Sequence, residues 1–133
     1  GTSPGGAIVS IVDTCFLIDL IREDPGAIGF AEQFSNLKTT SISAAGFLYG
    51  ARISARPGLY DTARKFLAYF PILAFDAEAA SLYADIAADL KQSGSRISSF
   101  DELIAAIVLR HGEEIVSRDA HLKTISGLRV IPY

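Results

Sequence analysis

The segment A-I-V-S-I-V-D-T-C-F-L-I-D-L at residues 7–20 decides the fold. Its opening part, residues 8–12, is short and rich in β-branched side chains, which is typical of a strand. Asp13 and Thr14 follow, and both are residue types that cap helix N-termini. An apolar helical stretch then continues to about Arg22. We therefore predict a strand, a tight turn and a helix, with Asp13 at the carboxyl end of the strand.

The rest of the chain continues this alternation of strands and helices, with Pro, Gly and capping residues at the boundaries. Predicted helices cover residues 25–36, 44–54, 59–70, 77–91 and 100–111, and predicted strands cover residues 39–43, 72–75, 115–117 and 128–131. Such alternation predicts an α/β fold with a central parallel sheet of about four to five strands flanked by helices. Ligands of open parallel sheets lie outside the carboxyl ends of the strands.

Composition narrows the class of protein. The 133 residues suit a single domain, which we assign to residues 7–133, after a flexible leader at residues 1–6 of the kind that expression cloning adds. Apolar runs are too short to span a bilayer, so we expect a soluble, cytoplasmic protein without a membrane partner. Cys15 is the only cysteine, which excludes an intrachain disulfide, and we expect it to be buried. The net charge of −3 gives no global attraction for nucleic acid.

Three aspartates lie where apolar and polar stretches meet. Asp13 follows the first strand, Asp119 follows the strand at 115–117, and Asp101 opens a helix. Each alone could be a simple helix or turn cap. Together, three converging carboxylates would repel strongly, by about 3 kcal/mol for a pair at 5 Å and an effective dielectric near 20. A hard cation such as Mg²⁺ or Mn²⁺ removes that cost, and a phosphodiester is its natural substrate.

Polar neighbours extend this candidate site. Thr14 could support a metal or a phosphate through its hydroxyl, and Ser117 could do the same beside Asp119. Arg118 could meet a phosphate oxygen, although a solvated arginine explains that position equally well. The interpretation at this stage is a metal-dependent nuclease.

The chain resembles the PIN-domain ribonucleases, most closely the VapC-like toxins of toxin-antitoxin pairs. Four segments carry the resemblance: I-V-D-T-C-F-L-I-D-L, S-I-S-A-A-G-F-L-Y-G-A-R at 41–52, D-E-L-I-A-A-I-V-L-R-H-G at 101–112 and I-V-S-R-D-A-H-L-K-T-I-S-G-L-R-V at 115–130. It implies a metal-dependent endoribonuclease toxin of a type II system, with an RNA substrate, an antitoxin protein as partner and a homodimer. It also implies that Asp13, Asp101 and Asp119 hold Mg²⁺ or Mn²⁺, with Thr14 and Ser117 as helpers.

One position departs from the family pattern. Gly46 stands where the resemblance leads us to expect a glutamate, so a fourth acid is missing. We interpret this as an impairment of metal affinity or water activation. Glu102, beside Asp101, is a conceivable but poorly oriented substitute. The alternative interpretation is that Gly46 allows close packing between helices, since glycine costs about 1 kcal/mol in a helix relative to alanine but lets backbones approach.

A partner surface is the interpretation we favour for residues 44–70, where aromatic and basic side chains are concentrated. The aromatic residues are Phe47, Tyr49, Tyr60, Phe66, Tyr69 and Phe70. They form either this segment's own hydrophobic face or a surface for a second copy or an antitoxin helix. Two further functions stay open: a catalytically inactive PIN-like binding module, and a receiver-type phospho-acceptor domain.

Overall fold

A five-stranded parallel sheet forms the centre of the protein, for which a computed structural model describes residues 10–34 and 36–133. The strands are β1 (Ser10–Val12), β2 (Leu37–Thr40), β3 (Ile72–Leu73), β4 (Glu114–Val116) and β5 (Arg129–Ile131). This confirms the predicted α/β class. The expected leader and the first two residues of the predicted first strand lie outside the described residues.

Helices connect the strands and cover both faces of the sheet. They are α1 (Thr14–Ile21), α2 (Pro25–Gln33), α3 (Ser41–Ile53), α4 (Leu59–Leu67), α5 (Ala77–Gln92) and α6 (Ser99–Arg110), with a 3₁₀ helix at Ala120–Thr124. In the described part of the chain, no helix has both the length and the apolar character needed to cross a bilayer.

The predicted strand at 39–43 was wrong in its boundaries. The strand β2 ends at Thr40, and α3 begins at Ser41 rather than at residue 44. Thr40 ends the strand because its hydroxyl accepts a hydrogen bond from the backbone N–H of Ser43 at 2.9 Å, which caps the helix. The Ser and Thr residues that suggested a longer strand are therefore a helix start.

Three other predicted elements were too long. The helices predicted to residues 36 and 70 end at Gln33 and Leu67, and the strand predicted to residue 75 ends at Leu73. After Leu67 the backbone N–H groups of Ala68, Tyr69 and Phe70 bond three residues back, at 3.2, 3.2 and 3.0 Å. Such tight bonds satisfy the last carbonyl groups of a helix and end its regular winding.

The central strand β1 is buried on both faces. Ile11 packs into one hydrophobic cluster with α5 and α6, whereas Val12 packs into a second cluster with α1, α3 and α4. Both side chains have no exposed surface. Successive residues of a strand point to opposite faces, so a short run of β-branched residues serves both clusters.

The strand order is β3-β2-β1-β4-β5. The connections from β1 to β2 and from β2 to β3 proceed in one direction, and the next connection returns to the other side of β1. The order therefore reverses between β1 and β4, which is where open α/β sheets bind ligands. Receiver-type domains have the order 2-1-3-4-5 instead, so the receiver alternative is wrong.

A buried threonine fixes the two strands that approach this point. Thr39 on β2 is fully buried, and its hydroxyl donates a hydrogen bond to the carbonyl of Val12 at 2.8 Å. Val12 and Thr39 are also paired in the ladder. The hydroxyl thus holds the last residue of β1, directly before Asp13.

We predict that Thr39→Val lowers the free energy of unfolding by about 1 to 2 kcal/mol, because it removes a buried hydrogen bond and keeps the side-chain volume. Urea denaturation followed by circular dichroism measures the change. Thr39→Ser retains the donor and serves as the control. Equal stability of the valine variant and the parent chain would show that this hydroxyl does not hold β1.

Candidate metal centre at the carboxyl edge of the sheet

Asp13 lies at the end of β1, at the point where the strand order reverses. The residue is only 6% exposed. Its Oδ1 atom accepts a hydrogen bond from the backbone N–H of Phe16 at 2.9 Å, which caps α1. The side chain of Ser117 is a second hydrogen-bond partner of this carboxyl group.

Asp101 reaches the same edge from a helix. Because α6 leads into β4, its N-terminus lies at the carboxyl edge of the parallel sheet. Ser98 caps this helix and accepts from the backbone N–H of Asp101 at 3.2 Å. The Ser98 hydroxyl also donates to Oδ2 of Asp101 at 2.9 Å, which orients the carboxylate.

Asp119 follows β4 at some distance. Sequence reasoning placed it directly after a strand, but β4 ends at Val116 and Asp119 caps the 3₁₀ helix, which had not been predicted. Its Oδ1 atom accepts from the backbone N–H of His121 at 2.9 Å and lies 3.0 Å from Nδ1 of the same residue. The backbone N–H of Asp119 donates to the hydroxyl of Ser117 at 3.0 Å.

The three carboxylates lie close enough to influence one another. Burial raises the pKa of Asp13, and the charges of Asp101 and Asp119 raise it further, while hydrogen bonds from Ser117 and Phe16 oppose the rise. Burial also raises the pKa of Asp101, with a further contribution from Asp119. The fold therefore gathers the three predicted acids into one electrostatically strained cluster.

The carboxylate oxygens of this cluster are the donor type that binds hard divalent cations. Across residues 10–34 and 36–133, no three acidic, histidine or cysteine side chains already surround one point as metal ligands would. The mutual repulsion is nevertheless present. Asp13 and Asp119 each cap a helix through Oδ1, and Asp101 accepts a hydrogen bond from Ser98 through Oδ2. The remaining carboxylate oxygens are the donors that Mg²⁺ and Mn²⁺ prefer, and a cation would offset the repulsion.

The expected helper residues have different roles in the structure. Ser117 is 2% exposed. Its hydroxyl accepts a hydrogen bond from the backbone N–H of Asp119 and donates one to the carboxyl group of Asp13. Thr14 donates its hydroxyl to the carbonyl of Ser43 at 3.3 Å, which ties α1 to α3. Both therefore lie at the candidate site.

Arg118 contacts acidic and aromatic side chains, and the role considered for it was a contact with a phosphate oxygen. Its guanidinium group lies 2.9 Å from Asp24 and 3.5 Å from Asp19, and it covers the ring of Tyr133 at 4.4 Å. Tyr133 donates its own hydroxyl to Asp19. Arg118 therefore fixes the loop that carries Ser117 against α1, α2 and the C-terminal residue. The residues in contact are too distant in sequence for a local pattern to reveal.

Gly46 faces the cluster. A Cβ atom at this position would lie 3.4 Å from Oγ1 of Thr14 and 3.5 Å from Cε2 of Phe100, which are the sequence neighbours of Asp13 and Asp101. These are ordinary contact distances, so helix packing does not require glycine here. A longer side chain would emerge beside the carboxylates.

Glu102 cannot replace the missing acid. Its side chain is fully buried and forms a two-pronged ion pair with Arg96, in which Nε lies 3.1 Å from Oε2. The substitute role considered for it is therefore wrong. Cys15 was expected to be buried and is instead exposed on α1.

The chain belongs to the PIN-domain family. The model of that family matches residues 10–128, which include all three aspartates. The resemblance drawn from the sequence motifs is thus confirmed.

Relatives and solved structures agree with this assignment. The chain is 38% identical over 60 residues to VapC ribonuclease Y4jK of Sinorhizobium fredii, a stretch that spans 45% of this chain and only 43% of that relative. VapBC2 of Rickettsia felis, bound to a promoter DNA fragment, has a TM-score of 0.87 at 20% identity over 95% of this chain and 99% of that one. FitAcB of Neisseria gonorrhoeae has a TM-score of 0.82 at 20% identity, over 92% and 96%.

We predict that Asp13→Asn raises the melting temperature at pH 7 in the presence of EDTA. A carboxyl group whose pKa is raised by folding destabilises the folded state as the pH rises above the ordinary value near 3.8, and the penalty is complete above the raised pKa. Asparagine keeps the cap on Phe16 without the charge. The gain should shrink as the pH is lowered towards 4, as measured by thermal unfolding.

Asp24→Asn is the matched control. Asp24 also caps a helix, α2, but its hydrogen bond from Ala27 and the charge of Arg118 lower its pKa. Its neutralisation should lower the melting temperature at pH 7. A loss of stability in both variants at pH 7 would contradict the repulsion assigned to the aspartate cluster.

Proposed function

We propose that this chain is a metal-dependent endoribonuclease and the toxin of a type II toxin-antitoxin system. The observation that carries the proposal is the convergence of Asp13, Asp101 and Asp119 at the reversal of strand order. The relative named VapC ribonuclease and the solved VapBC complexes support the same function. An RNA substrate implies that the protein acts in the cytoplasm.

In this proposal Asp13, Asp101 and Asp119 hold Mg²⁺ or Mn²⁺. The bound cation would lower the pKa of a water molecule and offset the negative charge that grows on the phosphate. The hydroxyl of Ser98 holds the carboxylate of Asp101 in place before substrate arrives, and the backbone N–H of Phe16 does the same for Asp13. Such fixed oxygens need little rearrangement during the reaction.

Ser117 and Thr14 complete this arrangement. Ser117 is bonded to the backbone of Asp119 and lies against Asp13, so it sets the spacing of two metal ligands. Thr14 fixes the start of α1 relative to α3. We assign both a positioning role.

Gly46 reduces the activity in this proposal. The family resemblance places a glutamate at this position, and the direction of its Cβ atom would bring that carboxylate beside Thr14 and Phe100. A fourth carboxylate would complete the coordination of the cation or accept a proton from water. Its absence leaves a weaker site on an intact fold.

We predict that the parent chain cleaves RNA slowly in Mn²⁺ and that Gly46→Glu increases the rate at least about tenfold, which corresponds to about 1.4 kcal/mol in the barrier. A fluorophore-labelled RNA with a quencher reports the rate, with and without EDTA. Asp13→Asn and Asp101→Asn should abolish cleavage because each removes a metal ligand.

Gly46→Ala is the control for Gly46→Glu. It adds the Cβ atom and the better helix propensity but no carboxylate, so it should raise stability by about 1 kcal/mol without raising activity. Equal cleavage by the parent chain and Gly46→Glu would contradict the impairment. No cleavage by either variant in any divalent metal would contradict the nuclease.

The second candidate is a PIN-like binding module without catalysis, and Gly46 is the observation that favours it. Calorimetric titration with Mn²⁺ separates the two candidates. Binding of Mn²⁺ together with RNA cleavage supports the enzyme. Loss of either property in the parent chain, with both regained in Gly46→Glu, assigns the parent chain to the module.

An antitoxin is the partner we infer, and an apolar groove suits it. The groove lies between α1, α3 and α4, and its lining includes Ile18, Ile21, Phe47, Ala51, Leu59 and Ala63. Arg22 and Arg56 also line it. This surface fits an amphipathic segment with apolar anchors and acidic flanks. The solved structures similar to this chain include VapBC complexes.

We predict that Gly50→Trp blocks antitoxin binding without unfolding the protein. Gly50 lines the groove, and a Cβ atom there meets nothing within 4 Å, so the indole would occupy the groove rather than the core. Copurification with a candidate antitoxin coexpressed with this chain measures binding. Gly29→Trp, at another open glycine on α2, is the control and should bind normally. Normal binding by Gly50→Trp would place the antitoxin elsewhere.

A homodimer is a further part of the proposal. The aromatic residues of the 44–70 segment divide in the structure: Phe47 is buried and packs against Phe66, whereas Tyr49 and Tyr69 are 66% and 84% exposed. Ile53, one turn after Tyr49 on α3, is also 66% exposed. This apolar face of α3 supports contact with a second copy.

A further inference from the structure

Phe100 is an exposed aromatic ring at the candidate metal centre. The residue is 50% exposed, although it immediately precedes Asp101. One helical turn later, Ile104 is only 2% exposed and belongs to the core. Phe100 thus extends the apolar stripe of α6 by one turn beyond Ile104. The stripe leaves the core there, so the side chain of Phe100 remains half exposed.

The position of Phe100 separates it from other exposed apolar residues. The exposed large hydrophobic side chains are Phe34, Tyr49, Ile53, Tyr69, Ile72 and Phe100. Phe34, Tyr69 and Ile72 lie just before or at the start of a strand, at the amino edge of the sheet, and Tyr49 and Ile53 lie in the second half of α3. Within this set, Phe100 is the residue at the start of a helix on the carboxyl edge.

The ring also limits the space above Gly46. Its Cε2 atom lies 3.5 Å from the position of a Cβ atom at residue 46. The edge of the ring therefore lies next to Gly46 of α3 and near Thr14 of α1. The half-exposed Phe100 is thus next in sequence to Asp101 and in contact range of the elements that carry Thr14 and Gly46.

We propose that Phe100 is the stacking platform for a nucleobase of single-stranded RNA, next to the phosphate held at the carboxylate cluster. The proposal deepens the proposed function and rests on it. Single-stranded RNA offers unstacked bases, and proteins bind them on aromatic rings. A ring next to a metal ligand fixes one base and so places the adjoining phosphate.

Phe100→Trp provides a direct measurement because the chain contains no tryptophan. The new indole should be quenched in a saturable way by a short single-stranded RNA of mixed sequence, with Ca²⁺ at the carboxylates in place of a catalytic metal. Tyr69→Trp, an exposed aromatic position at the opposite edge, is the control and should show no saturable quenching.

Phe100→Leu tests the contribution of the ring to affinity. Leucine keeps an apolar side chain but has no aromatic face, so fluorescence anisotropy should show RNA binding weakened by about tenfold. Phe100→Tyr should bind like the parent chain. In the Gly46→Glu background, Phe100→Leu should raise KM more than it lowers kcat.

These outcomes separate the inference from the proposed function. Absence of cleavage in every metal contradicts the nuclease, whereas the quenching of Phe100→Trp by RNA supports the stacking role independently of cleavage. Unchanged RNA affinity in Phe100→Leu, with no quenching of Phe100→Trp, overturns the stacking role even if Gly46→Glu is active. Quenching by the antitoxin and not by RNA overturns it as well.

Discussion

The structure depends on a buried carboxyl group at the end of its central strand. Asp13 is 6% exposed, and it follows residues that are packed on both faces of the sheet. Burial of a carboxylate is costly unless hydrogen bonds or a counter-charge compensate it. The cap on α1, the hydroxyl of Ser117 and the order of the strands all meet at this group.

The repulsion within the aspartate cluster also lowers the free energy of unfolding. Asp101 and Asp119 each raise the pKa of Asp13, so a negative charge on either of them opposes the ionisation of Asp13. Natural sites of this kind trade stability for binding. In the function proposed above a cation offsets this repulsion, and Gly46 leaves the site without the fourth acid that the family resemblance leads us to expect.

Local sequence patterns predicted the framework well. The β-branched run before Asp13 and the Pro, Gly and capping residues at the boundaries act within a few residues, and the alternation of strands and helices predicted from them is confirmed. Boundaries were less predictable where threonine serves both strand and cap, as at Thr40. The positions of the three aspartates at the ends of predicted strands and at a helix start suggested a shared site, and the family resemblance implied the same.

Interactions between distant residues were not predictable in this way. The ion pair of Glu102 with Arg96 and the clamp of Arg118 on Asp24 and Tyr133 depend on how helices dock, which no short window of sequence encodes. The exposure of Phe100 is similar. Its place in the apolar stripe of α6 predicts burial, and only the finite length of the core leaves the ring half exposed.

The pairing of β1 with β4 has a consequence for synthesis. Ser10 and Val12 are in register with Glu114 and Val116, so strands from opposite ends of the chain become neighbours. Chains emerge from the ribosome with the N-terminus first, and contacts between distant segments form late. Asp13 is made early but meets Asp119 only when nearly the whole domain has emerged. The aspartate cluster of a nascent chain is therefore not assembled until synthesis of the domain is almost complete.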